Sequence, residues 1–191
     1  DWRATFAQGD FPFYIASLPA FTARHAEPPA TADGWTQIRE IQLEVGRQAP
    51  HTATAVTADT GDANDIHPTA KLPVSERLAL LALEHHYGRA VPSAGPTFAK
   101  FETLPGALRI HYTGTDGGLV AKGDKLGEFA IAGADRTWHW AEARIEGDTV
   151  VVSSPQVPEP VAVRYAWQAN PLATLYNAAG LPAAPFRSDN W

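Results

Sequence analysis

Hydrophobic and polar positions change their rhythm near residue 92. Before it, "FPFYIASL" (11–18) is a short apolar run rich in aromatic and β-branched residues and predicts a buried strand. "PAFTARHAEPPATADG" reads as loop from its Pro, Thr and Gly content. Trp35, Ile38, Ile41, Leu43 and Val45 include helical spacings. With Asp33 as N-cap and Gly46 at the end, they predict a helix of about three turns. "TATAVT" (52–57) predicts a second short strand. After a polar loop, Pro73 opens a helix whose Leu78, Leu81, Ala82 and Tyr87 share a stripe and which Gly88 closes. Alternation of strand and helix over 1–92 is the mark of a parallel α/β sheet with covering helices. Two strands are too few for such a layer, so further strands are expected outside this sequence.

Beyond "AVPSAGP" (90–96) the segments "TFAKFETL", "ALRIHYT", "EFAIAG", "RTWHWAEARIEG", "TVVVSS" and "VAVRYAWQ" are short, β-rich and separated by Gly, Asp and Pro turns. They predict a second, all-β sandwich domain over 93–191, its strands running from about 95 to 168. The tail, "NPLATLYNAAGLPAAPFRSDNW", reads as irregular and laid on the body.

With 45% hydrophobic and 19% charged residues among 191, the composition is that of a globular protein. No stretch approaches the roughly 18 apolar residues that span a bilayer, and "DWRATFAQGD" lacks a signal-peptide layout. A net charge of -6 without a Lys/Arg cluster argues against a nucleic-acid partner. Cysteine is absent, which excludes disulfides and thiolate metal sites. Methionine is absent as well, and the sequence is read as a piece of a longer polypeptide.

The chemistry concentrates in "TADTGDANDIHPTAK" (57–71). His67 follows a strand and precedes a helix, where α/β folds carry their sites, and Asp59, Asp62, Asn64 and Asp65 lie within eight residues of it. Pro68 restricts His67 to extended backbone, so the loop can aim the ring as a general base. Other readings stand beside that one: acids and amides that form turns or cap the next helix, or Asp62, Asp65 and His67 as hard metal ligands. Trp138, Trp140 and Trp167 read either as sandwich core or as sugar-stacking platforms. Glu84, His85 and His86 read as a solvated helix face, because consecutive helical residues diverge. Arg39 and Gln42 read as buried hydrogen-bonding supports, whereas His25, His51, His111 and His139 show no partner pattern.

"GDANDIHPTAKLPVSERLALLALEHHYG" resembles the His block of the sialate O-acetylesterase family, SGNH-type serine esterases. "DWRATFAQGDFPFYIASLPAF", "WTQIREIQ" and "AVRYAWQANPLATLYNAAGLPAAPFR" are similar to three further blocks of that family, in the same order. The resemblance implies the C-terminal part of an SGNH three-layer α/β domain with a parallel sheet, joined to the β-sandwich. It implies removal of acetyl groups from sugar hydroxyls, on sialic acid or on plant polysaccharides such as xylan and xyloglucan. The route would be Ser-His-Asp acyl transfer with His67 as base, without metal or organic cofactor.

The family's Gly-Gln-Ser-Asn-Met nucleophile block is missing, and Ser17, Ser75, Ser93, Ser153, Ser154 and Ser188 stand in no similar context. The partner implied is therefore the N-terminal portion of the same enzyme, bearing the Ser, with acetylated carbohydrate as substrate and a secreted or periplasmic location. Where the family carries Asp three residues before the His, this sequence has Asn64; Asp65 is the first choice for the triad acid and Asp62 the second. The competing class is a non-catalytic carbohydrate-binding module in which the sandwich works and the α/β part is a remnant.

Overall fold

A short helix α1 (Trp2–Phe6) leads into β1 (Phe13–Ala16), which pairs in parallel with β2 (Thr52–Ala55), Phe13 opposite Thr52. The computed structural model describes residues 2–191; Asp1, the first residue of the block that resembles the family's Trp-Arg segment, lies outside them. Between the two strands runs α2 (Gly34–Gln48), and after β2 comes α3 (Lys71–His85). Only a two-stranded parallel sheet forms among the described residues. Ala53 and Ala55 of β2 are small enough for Leu81 of α3 to pack directly on the strand, with Tyr14 and Leu78 beside it.

Asp33 caps α2 as its sequence predicts, its carboxylate accepting the Thr36 N–H at 2.7 Å. The helix passes the expected terminator, Gly46, and continues to Gln48. A Cβ on Gly46 would overlap the Thr54 side chain, so this glycine lets helix and strand approach closely and does not end the helix. One turn N-terminal, the Gln42 carbonyl accepts the Thr54 hydroxyl at 2.8 Å.

The remaining chain forms two four-stranded antiparallel sheets and a small pair. The first sheet is β3 (Thr97–Leu104), β4 (Ala107–Thr113), β9 (Thr149–Ser153) and β8 (Glu142–Glu146), in that order. The small pair joins β5 (Leu119–Ala121) to β11 (Leu175–Asn177). The second sheet is β12 (Phe186–Arg187), β10 (Ala162–Tyr165), β6 (Phe129–Ala132) and β7 (Trp138–Trp140). Leu108, Ile110, Val150 and Val152 from the first sheet meet Phe129, Ile131, Val163 and Tyr165 from the second in one apolar core.

Two expectations change here. "RTWHWAEARIEG" is not one strand but two, β7 and β8, which belong to opposite sheets; the chain crosses at Ala141. The tail is not irregular. It supplies β11 and β12, and Tyr165 Oη, which accepts the N–H groups of Thr174 and Leu175 at 3.1 and 2.8 Å, fixes its path.

Strands β6 and β10 are buried at every residue, against the alternation expected of a sandwich sheet. The cause is the loop from the first part of the chain, which covers their outer face. Arg164 donates to the carbonyls of Pro29 and Ala30 at 2.9 and 3.2 Å, and the Trp140 indole donates to Ala26 O at 2.7 Å. Ala130, Ala132 and Ala162, small side chains on that face, leave room for the covering segment.

Arg39 ties the two parts of the chain together. Its guanidinium donates to the carbonyls of Leu18 and Pro19 on one side and of Gln168 and Ala169 on the other, at 2.6–2.9 Å. No carboxylate among the described residues pairs with it, and burial lowers it to about 10, still charged at neutral pH. Gln42 likewise accepts the Leu18 N–H at 2.8 Å. Replacing Arg39 by Met leaves these carbonyls without a donor, at about 1–3 kcal/mol for each left dry. We expect a loss of at least about 3 kcal/mol in urea unfolding, and a smaller change would show that water replaces the guanidinium.

Candidate active site

The carboxyl ends of β1 and β2 are locked to each other before the polar loop begins. Ser17 Oγ accepts the Thr57 N–H at 3.0 Å, and the Thr57 hydroxyl donates to the Ser17 carbonyl. Ala20 then donates to Thr60 O at 2.7 Å, and Gly61, at φ +114°, lies so close that a Cβ would overlap Ala20 O.

Asp59 anchors the base of the loop. Arg77 of α3 grips its carboxylate with both terminal nitrogens, at 2.5 and 2.6 Å, while also donating to Val56 O at 2.7 Å. Tyr176 of β11 donates its hydroxyl to the same carboxylate at 2.8 Å. Burial first, and then the Asp59 charge, raises the Tyr176 phenol far above its ordinary range, so it acts only as a donor here. This pair is nearly dry, with side chains 9% and 11% exposed. The sequence gives one sign of it: Arg77 stands four residues before Leu81 on the buried stripe of α3, where a cation requires a partner.

Past this anchor the loop turns twice on its own acids. Asp62 accepts the Asn64 N–H at 2.8 Å, and Asp65 accepts the His67 N–H at 2.8 Å. The second turn folds the Asp65 carboxylate back onto its histidine, with Oδ1 3.3 Å from His67 Nδ1. The His67 side chain is 83% exposed and that of Asp65 57%. The His67 backbone N–H, and next the ring, hold the Asp65 carboxyl below its ordinary range, so it stays a carboxylate while an imidazole changes charge. Neither acid caps α3: its N-cap is Ala70, with no side-chain hydrogen bond.

Asp62, Asp65 and His67 do not converge, and among the described residues no three His, Asp or Glu side chains are placed to hold a metal. Glu84 accepts the Ser93 hydroxyl, and His85 Nε2 stands 3.9 Å from Glu84, while the His86 ring packs on Tyr87. Five of the six serines are engaged away from His67, Ser93 with Glu84 among them, and Ser153 ends β9 in the sandwich. Ser17 bonds Thr57, Ser75 bonds Lys71 O, Ser154 bonds Gln156, and Ser188 accepts the Val163 N–H. Trp138 and Trp167 offer no open platform: they sandwich the Arg164 guanidinium at 3.8 and 3.9 Å, which in turn holds the buried carboxylate of Asp189.

No family model and no curated protein matches the chain. Among solved structures, a carbohydrate acetylesterase from Xanthomonas citri superposes with a TM-score of 0.90 at 38% sequence identity, over 100% of this chain. The chain is a relative of a carbohydrate acetylesterase. It spans 44% of that enzyme's length. No helix among the described residues is long and apolar enough to cross a membrane.

Proposed function

We propose that this chain is the base-bearing part of an SGNH-type serine esterase that removes O-acetyl groups from sugars, with His67 as general base and Asp65 as its orienting acid. The observation that carries the proposal is the His67–Asp65 pair. The carboxylate sits at Nδ1, Nε2 has no partner among the described residues, and the ring projects from the loop that follows a parallel strand. Similarity to a carbohydrate acetylesterase supports the class of ester.

The nucleophile comes from the N-terminal portion of the same enzyme. Two features favour that partner. Among the described residues β1 pairs only through the edge that faces β2, and Ile38, Ile41 and Val45 form an exposed apolar stripe on α2, opposite the buried Leu43. A parallel sheet continued past β1, with its own covering elements, would use both. On this reading residues 1–92 complete an SGNH domain, 93–191 are its sandwich, and the enzyme is secreted or periplasmic.

In the reaction, Nε2 takes the serine proton as the serine oxygen attacks the acetyl carbonyl. The imidazolium returns that proton to the departing sugar hydroxyl, leaving an acetyl-enzyme. Water, deprotonated by the same nitrogen, then releases acetate and regenerates the serine. Asp65 keeps the proton of the neutral ring on Nδ1 and offsets the charge of the imidazolium. The complete enzyme is expected to release acetate from acetylated sugars and from a small aryl acetate; failure on all of them would overturn the proposal. A purely sugar-binding module finds no support in Trp138 and Trp167, which are spent on Arg164.

A further inference from the structure

The His67 loop is held at its ends. From Asp62 to Ala70, the hydrogen bonds among the described residues run to neighbours two positions away: Asp62 to Asn64, Asp65 to His67, and the Lys71 N–H to Thr69 O at 2.9 Å. Where His67 stands relative to the rest of the enzyme is therefore set where the loop leaves β2 and where it enters α3. Arg77 serves both ends, since from α3 it donates to Val56 O and to both oxygens of Asp59.

One side chain of the sandwich reaches this anchor. Tyr176 Oη donates to Asp59 Oδ2 at 2.8 Å, and among the described residues no other side chain from 93–191 hydrogen-bonds residues 57–71. Packing does little to duplicate that bond, because a cleft of about 520 Å³ opens between residues 58–61 and the sandwich loops 122–125 and 170–174. The tyrosine itself is fixed. It is 5% exposed, its backbone is in register with Val120 of β5, and the Lys122 ammonium lies 3.7 Å from the centre of its ring. Two bonds from Arg77 hold the Asp59 carboxylate in the guanidinium plane, yet the pair can still swing on a long, flexible arginine side chain. A third bond, from a separate and rigid element, removes that freedom.

We infer that Tyr176 is a positioning residue for the general base: through Asp59 it ties the His67 loop to the sandwich and keeps the imidazole within reach of the serine. The inference rests on the esterase reading of His67. It gives the sandwich a part in the chemical step, because proton transfer needs heavy atoms about 3 Å apart and a displacement of about 1 Å can cost about a hundredfold in rate.

Tyr176→Phe in the complete enzyme removes one oxygen and keeps the ring. On a small aryl acetate, well below the unfolding temperature, we expect kcat to fall by about tenfold or more with KM nearly unchanged. A purely stabilising hydroxyl would leave the kcat of the folded enzyme intact. The second measurement is a double-mutant cycle. In the His67→Ala background, Tyr176→Phe should change the residual rate by less than about twofold, because an effect that acts through the imidazole disappears with it. A Tyr176→Phe enzyme with the parent's kcat, or the same fold loss in both backgrounds, would overturn the inference. Parent-like activity in His67→Ala alone would instead remove the base reading, and this inference with it.

Discussion

Changing His67 to Ala in the complete enzyme is expected to lower kcat on an acetylated sugar by about four orders of magnitude, with KM nearly unchanged. Such a loss corresponds to about 5 kcal/mol of transition-state stabilisation. The size follows from the proposed role: without an imidazole nothing would take the serine proton as the oxygen attacks, and nothing would return it to the leaving sugar. Its fold should tolerate the change, because the side chain is 83% exposed and its contact is with Asp65 in the same loop. Thermal unfolding should therefore match the parent enzyme to within a degree or two. A variant retaining a tenth of the parent rate would exclude His67 as the base.

The second large effect separates two acids three residues apart in the sequence. Asp65→Asn should lower kcat by about a hundredfold to a thousandfold, and Asp62→Asn by less than about threefold. Asp65 faces Nδ1 at 3.3 Å, whereas Asp62 accepts only the Asn64 N–H. Solvent screens the exposed Asp65, which sets its effect below that of a buried triad acid. The Asn amide can still accept the His67 N–H and keep the turn, so the loss reports charge and tautomer, not loop collapse. Equal effects from the two substitutions would assign the acid elsewhere.

Asp65 and Asp62 are also where the sequence reading was least determinate. Spacing offered both, and the choice depends on which carboxylate a turn bends back towards the ring. Asp59 shows the opposite case. In the sequence it is one acid among several in a polar loop, yet the structure buries it between Arg77 and Tyr176, residues 18 and 117 positions away. Arg77 on the buried stripe of α3 signals that a partner is needed but not which acid it is, because that choice is made only when α3 and β11 both reach the loop after β2.

Periodicity determined the elements whose neighbours are local. Asp33 at the head of α2, the strands β3 and β4, and β2 running into a helix beside the His67 loop were all legible, since capping, alternation and β-branching act within a few residues. The place of His67 in a loop between a strand and a helix was legible for the same reason: strand, loop, His-Pro and helix are contiguous. Tertiary structure decided the rest. Gly46 became a contact point, the tail became two strands, and three tryptophans became structural supports once the loop after β1 covered the second sheet. The cleft lined by residues 58–61, 122–125 and 170–174 belongs to this second group, because its walls come from segments more than 100 residues apart in sequence, Ala20 and Lys122 among them, brought together by long-range packing.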